Sequence, residues 1–269
     1  MKRKWKPEES GEMKITELSW KPSKGQASIL KGINCVFERG NFYGIIGPNG
    51  SGKTSLLKNI MRFVESTEGD IELDSIDLRK YKRREMAGKV SLVPQNTHME
   101  AAFSVYDIVM MGRMPYQRRF EPDTEKDREI VLEAMRLTDC IHLKEKEVSL
   151  LSGGEAQRVA AARAIAQDTQ WIILDEPISN LDVKHQAEMM NALLYLKEKK
   201  EKTIIAVLHD INIAATYCSK IVMMKDGKIY SSGKTEEVLT KENLSNVYEI
   251  AFEILENDET KRKYYVPCL

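Results

Sequence analysis

The sequence is poor in cysteine. Its four thiols (Cys35, Cys140, Cys218 and Cys268) lie far apart and form no CxxC pair. That spacing excludes a secreted disulfide scaffold and a zinc ribbon, and it fits reduced thiols in a cytosolic protein. Long apolar runs are also missing. The runs at 171–174 and 203–208 are strand-sized, far short of the roughly 18–20 residues that cross a bilayer, so the chain is no helical membrane pore. There is no excess of one charge: Lys+Arg and Asp+Glu are both 41. A strongly basic nucleic-acid binder is therefore disfavoured, although a local basic patch stays open. The basic start (Lys2, Arg3, Lys4, Lys6) runs into Glu8, Glu9 and Glu12 rather than an apolar core, which argues against a secretory signal. No internal repeat or low-complexity linker is present. What remains is an ordinary globular composition, 42% hydrophobic and 30% charged over 269 residues, enough for one or two domains with a real core.

The hydrophobic pattern alternates strands with helices. Residues 14–20 and 28–37 read as strands, with Ile33, Cys35 and Phe37 on one face. Phe42–Ile46 is a short apolar run ending in a glycine-rich turn. A helix is expected after it, because Leu56, Leu57, Ile60, Met61 and Val64 recur at helical spacing. Ile71 and Leu73 mark another alternating strand, and Val90–Val93 a buried one closed by Pro94. From about 98 to 168 strand-like runs give way to helical periods. Three apolar runs follow at 171–174, 204–208 and 221–224, the first two separated by a helix over 183–199. This order predicts βαβ units and a largely parallel sheet interrupted by a helical block. Beyond 235 come two short helical patterns and a tail, expected to pack as an extra edge strand through Tyr264, Tyr265 and Val266.

Three motifs carry chemistry. Gly47, Pro48, Asn49, Gly50, Ser51, Gly52, Lys53 and Thr54 fit G-x-x-x-x-G-K-[ST], with a strand before and a helix after, and with the next residue, Ser55, they are the expected nucleotide-binding loop. Glycines let backbone amides crowd a phosphate chain, and the helix N-terminus adds partial positive charge. Lys53 is placed to reach the β- and γ-phosphates of ATP, and the Thr54 hydroxyl to ligate Mg²⁺. The strand at 171–174 delivers Asp175 and Glu176 at its carboxyl end, where open α/β sheets bind ligands. Asp175 would orient Mg²⁺, and Glu176 would act as general base on water. Leu151, Ser152, Gly153, Gly154 and Glu155 precede an alanine-rich helix. They read as a capped helix start or as a second anion site aimed at a γ-phosphate.

With the LSGGE pentapeptide just ahead of the Asp-Glu strand, the chain resembles the nucleotide-binding subunits of ABC transporters from about Lys14 to Thr240. The resemblance implies an α/β fold: a P-loop NTPase core with a mostly parallel sheet, an antiparallel β subdomain near the N-terminus and an inserted α-helical subdomain. The expected layout is one domain over 1–269. Its core spans 14–97 and 169–240, its helical subdomain 98–168 and its C-terminal extension 241–269. Gln95 resembles the Q-loop glutamine that touches Mg²⁺. Ser179, Asn180, Leu181 and Asp182 resemble the D-loop, and Asp182 also reads as a helix cap. His209 resembles the γ-phosphate-sensing switch histidine. Trp20 reads either as the adenine-stacking platform or as a partly buried strand tryptophan. Ala156, Ile178 and Asn180 depart from the common pattern without removing a catalytic group.

The run Gly112, Arg113, Met114, Pro115, the segment from Leu208 to Asn212 and the lead-in Leu18-Ser19-Trp20 are similar to importers of ferric siderophores, haem and cobalamin, the siderophore branch most of all. The resemblance implies an ATPase with Mg²⁺ that pairs head to tail with a second copy and docks on separate membrane permease subunits. It implies work at the cytoplasmic face, fed by an extracytoplasmic substrate-binding protein, with no nucleic-acid partner. The rival from another class is a soluble ABC ATPase acting on nucleic acid. The modest helical block without sustained heptads and the zero net charge speak against it.

Overall fold

A computed structural model describes residues 11–23, 25–97, 102–117 and 122–268. In chain order the strands are β1 (Glu12–Trp20), β2 (Leu30–Glu38), β3 (Phe42–Ile46), β4 (Glu68–Leu73), β5 (Ile76–Asp77), β6 (Val90–Val93), β7 (Trp171–Asp175), β8 (Thr203–Val207), β9 (Lys220–Lys225), β10 (Lys228–Lys234), β11 (Ala251–Glu256) and β12 (Lys263–Cys268). The helices are α1 (Lys53–Ile60), α2 (Arg83–Ala87), α3 (Val105–Met110), α4 (Glu125–Leu137), α5 (Gly153–Ala166), α6 (Val183–Lys200), α7 (Ile211–Tyr217), α8 (Thr235–Val238) and α9 (Lys241–Tyr248).

Six strands form the main sheet in the order β10-β9-β3-β8-β7-β6. The five from β9 to β6 run parallel, and β10 closes one edge antiparallel. Every residue of β3, β7 and β8 is buried. That is the reason these strands read as unbroken apolar runs rather than alternations: both faces are covered. A second, antiparallel sheet, β2-β1-β4-β5, lies against one side. There β2 does alternate, with Ile33, Cys35 and Phe37 buried and Asn34, Val36 and Glu38 exposed. The α/β class and the two accessory β and α layers agree with the sequence reading.

Two apolar clusters sandwich the main sheet. One joins β1, β2, β4 and α1 to it. The other joins the sheet to α3, α4, α5 and α6 and to the C-terminal elements. Helix α5 is lined by Ala160, Ala161, Ala162, Ala164 and Ala166, all buried. Its small side chains admit close neighbours: a Cβ on Gly112 would stand 2.4 Å from the Arg163 carbonyl. Beside it Arg113 forms a buried ion pair with Asp127 at 2.8 Å and donates to the Ala166 carbonyl. The Gly112-Arg113 pair therefore has a packing reason of its own.

Several expectations need correction. Helix α1 ends at Ile60, with Met61 as its C-cap, so Val64 falls outside it. Strands β5 and β10 were not expected. An edge position explains β10: its residues are at most half-buried and carry little hydrophobic pattern. The tail is a strand, but it does not join the main sheet. It pairs antiparallel with β11 in a separate hairpin, with Tyr265 inward and Tyr264 and Val266 outward. The expected start of the helical block, 98–101, lies outside the described residues.

Candidate active site

The parallel strands set the site. In the order β3-β8-β7-β6, the carboxyl ends of four neighbouring strands lead into the Gly47 loop, His209, Glu176 and Gln95. Residues far apart in sequence thereby meet along one edge of the sheet, where open α/β sheets bind ligands. The pairing Asp175↔Val207 places the Asp-Glu pair level with the approach to His209.

The loop after β3 is built for close approach. Gly47 has φ 145°, and a Cβ there would stand 2.1 Å from the Met224 carbonyl. Gly52 has φ 100° and precedes α1 directly. Asn49 and Gly50 form the exposed crest between them, flanked by Pro48. Ser51 is 2% exposed, and its Oγ has no hydrogen-bond partner among the described residues. Lys53 is buried and donates to the carbonyls of Gly47 at 2.8 Å and Pro48 at 3.0 Å. Burial lowers its pKa, while the nearby Glu176 and Asp175 charges raise it. An unpartnered hydroxyl and an ammonium held on bare carbonyls suit a phosphate chain, which would partner both.

Thr54 donates from Oγ1 to Asp175 Oδ1 at 3.1 Å. Burial raises the Asp175 pKa, and the Thr54 hydrogen bond opposes it. A hydroxyl and a carboxylate, both hard oxygen donors, fit Mg²⁺. Next along the chain Glu176 has φ 54°, a left-handed conformation that costs a non-glycine residue energy and that clusters at functional sites. Its Oε1 lies 2.6 Å from His209 Nε2. Gln95 stands exposed two residues beyond β6. The same segment is tied to the LSGGE helix by the buried Thr97 Oγ1–Gln157 Oε1 hydrogen bond at 3.1 Å.

The LSGGE segment is a capped helix start. Ser152 Oγ accepts the Glu155 N–H at 3.3 Å, and the Glu155 carboxylate accepts the Ser152 N–H at 2.7 Å. Lys146 holds the same carboxylate at 3.1 Å. The Ser152 amide above all, then the lysine, pull the Glu155 pKa down to about 2. Glu155 is thus turned inward on its own cap, while Ser152 and Gly153 face solvent. Ser152 Oγ also hydrogen-bonds the Glu155 carboxylate, so the cap holds both side chains. Gly154 packs on the loop 179–182, where an added Cβ would stand 3.2 Å from the Asn180 carbonyl and 3.5 Å from Leu181 Cδ2. In that loop Ser179 Oγ donates to the Glu176 carbonyl at 3.1 Å, and Asp182 caps α6. Leu151 is half-buried on the helical core, and Ser55 sits in the first turn of α1.

Trp20 ends β1, half-buried against the N-terminal core. It pairs with Leu30, whose Cδ2 stands 2.9 Å from where a Gly52 Cβ would be. The strand end is therefore one residue away from the phosphate loop.

Two contributors escaped the sequence reading. Gly227 donates its N–H to the Ser51 carbonyl at 3.2 Å, and its signal was the Asp226-Gly227 hairpin turn. Tyr248 on α9 is the other. Burial pushes its phenol up to about 12, with a hydrogen bond to the Gly47 backbone opposing. Nothing in the local sequence of α9 marks that contact.

The sequence pattern of the ABC transporter family matches residues 30–179, more than half of the chain. The chain belongs to the ABC transporter family. As an ABC cassette it is an ATPase. This ABC ATPase is 36% identical over 232 residues to the petrobactin import ATP-binding protein FpuD of Bacillus anthracis, covering 86% of this chain and 85% of FpuD. It is 33% identical to the ferric enterobactin transport ATP-binding protein FepC of Escherichia coli over 243 residues, 90% of each. Among solved structures it resembles an inward-facing ABC transporter described as of metal-chelate type, with a TM-score of 0.82, 26% identity and coverage of 96% of this chain and 98% of the other.

Proposed function

We propose that this ABC ATPase powers the import of a ferric siderophore through a separate membrane permease. The observation that carries the catalytic half is the meeting of Lys53, Thr54, Asp175, Glu176 and His209 at adjacent strand ends. The cargo rests on the likeness to relatives named for petrobactin import and ferric enterobactin transport. Among the described residues no helix is long and apolar enough to cross a membrane. The ATPase accordingly works as a peripheral subunit at the cytoplasmic face, with an extracytoplasmic binding protein delivering the cargo.

The residues divide the work. The amides from Pro48 to Thr54 cradle the phosphates, and Lys53 leaves its carbonyl partners for the β- and γ-phosphates. Mg²⁺ on Thr54 and Asp175, with Gln95 beside them, would neutralise phosphate charge. Glu176 accepts the proton of the attacking water, and His209, at hydrogen-bond distance from that carboxylate, fixes its direction and meets the γ-phosphate. Trp20 supplies the adenine platform. Ser152 and Gly153 face outward with nothing within 4 Å of a Gly153 Cβ, so a second copy has room to bring its own ATP against them. Two head-to-tail copies then enclose two ATP molecules, with Ser179, Asn180, Leu181 and Asp182 lining the joint. The Thr97–Gln157 hydrogen bond carries movement at Gln95 to the helical block and onward to the permease.

The test is the oligomeric state of Glu176→Gln by light scattering. Slowed hydrolysis should trap a dimer with Mg-ATP and leave a monomer without it. A monomer over a wide range of protein concentration with saturating Mg-ATP would contradict the sandwich.

A further inference from the structure

Away from the nucleotide site, three side chains converge from two parts of the fold. Asp139 lies in the turn after α4, and His185 and Glu188 sit in the first two turns of α6. Their ligand atoms all lie within 4.8 Å of one another. Among the described residues no other group of three such side chains meets this closely.

The surroundings fit a cation. His185 Nδ1 is taken by Asp182 Oδ1 at 2.9 Å, which leaves Nε2 as the ring nitrogen open to a ligand. A carboxylate on the far nitrogen is the usual support of a metal-binding imidazole, fixing its tautomer and direction. Glu188 Oε2 is buried and has no hydrogen-bond partner among the described residues. Its other oxygen meets only Lys184, at 3.7 Å on the exposed face. Two carboxylates close together with one bare oxygen repel each other unless a positive charge stands between them.

We propose that Asp139, His185 and Glu188 form a binding site for a divalent transition-metal ion of the zinc class. One nitrogen and two carboxylate oxygens, completed by water, suit such an ion, and the two carboxylates neutralise it. Ligands about 2.0–2.2 Å from a tetrahedral ion lie roughly 3.3–3.6 Å apart, a spacing to which the three would draw in on binding. The bound ion would pin the turn after α4 to α6. Through Asp182 it would also steady the cap that follows the D-loop. None of the three ligands belongs to the nucleotide site, and none bears on the cargo.

The experiment is calorimetric titration of the full chain with Zn²⁺, repeated with Co²⁺ followed by visible absorption. One ion per chain is expected, with Co²⁺ giving the intense bands of a four-coordinate site. His185→Ala and the exposed-turn variant Asp139→Asn should each weaken binding by about tenfold or more. His209→Ala should leave it intact. Metal should raise the melting temperature of the wild type and not that of Asp139→Asn, a surface change that leaves the fold in place. No binding up to millimolar Zn²⁺, equal binding in all three variants, or loss confined to His209→Ala would each overturn the proposal.

Discussion

At the scale of single residues the candidate site gathers groups that a ligand would complete. Lys53 rests on the carbonyls of Gly47 and Pro48, Ser51 Oγ has no partner, and Glu176 holds an unfavourable φ of 54°. On the proposed mechanism each becomes satisfied, or useful, when a triphosphate and a water arrive. The Glu176–His209 contact of 2.6 Å makes a sharp expectation. On the proposed mechanism, in which the histidine acts on the base and the γ-phosphate, His209→Ala should lower kcat by about 100-fold or more while ATP affinity changes little. Steady-state ATPase assays with equilibrium nucleotide binding check this, and an unchanged kcat would remove His209 from the mechanism. The P-loop was legible because phosphate geometry dictates its spacing. The partnership of Glu176 and His209 was not, since they stand 33 residues apart and only the β7–β8 pairing brings them together. The roles proposed for them rest on the family likeness.

At the scale of elements, caps and close packing explain residues that look functional. Ser152 and Glu155 form a reciprocal cap reinforced by Lys146. Glu155→Ala should destabilise the fold by about 1 kcal/mol at neutral pH. Because the folded-state pKa of Glu155 is depressed to about 2 from 4.5, this stabilisation is present above pH 4.5 and fades as pH falls toward 2. Thermal unfolding of wild type and variant should therefore converge in acid; a gap constant with pH would contradict the assignment. Arg113 makes a second case. Its buried pair with Asp127 at 2.8 Å ties the turn after α3 to α4. Arg113→Ala leaves Asp127 buried without its cation, and it should cost about 3 kcal/mol by chemical denaturation. The helical period of α4 was readable because it buries one face, whereas α5 is buried nearly all round from Ala156 to Ala166 and was marked by its alanines and its Ser152 cap. The pairing of the tail was not. Strand β12 buries only Tyr265, too little pattern to point to a partner, and only the fold shows that β11 is that partner.

At the scale of the whole molecule, function follows from sheet order. The parallel strands β3, β8, β7 and β6 carry the chemistry, while the inserted helices hold Ser152 and Gly153 outward on a face that their own chain leaves open. The apolar runs of fully buried strands foretold that order of layers. The cargo was legible only as family likeness, because the residues of the candidate site speak to a nucleotide and not to an iron chelate. The most direct test of the account is uptake of labelled ferric siderophore, haem and cobalamin by cells whose only copy of this ATPase is wild type or Lys53→Ala. Selective loss of ferric-siderophore uptake in the Lys53→Ala cells is the predicted result. Undiminished siderophore uptake by cells shown to contain the inactive variant would contradict it, and loss of haem or cobalamin uptake alone would reassign the cargo.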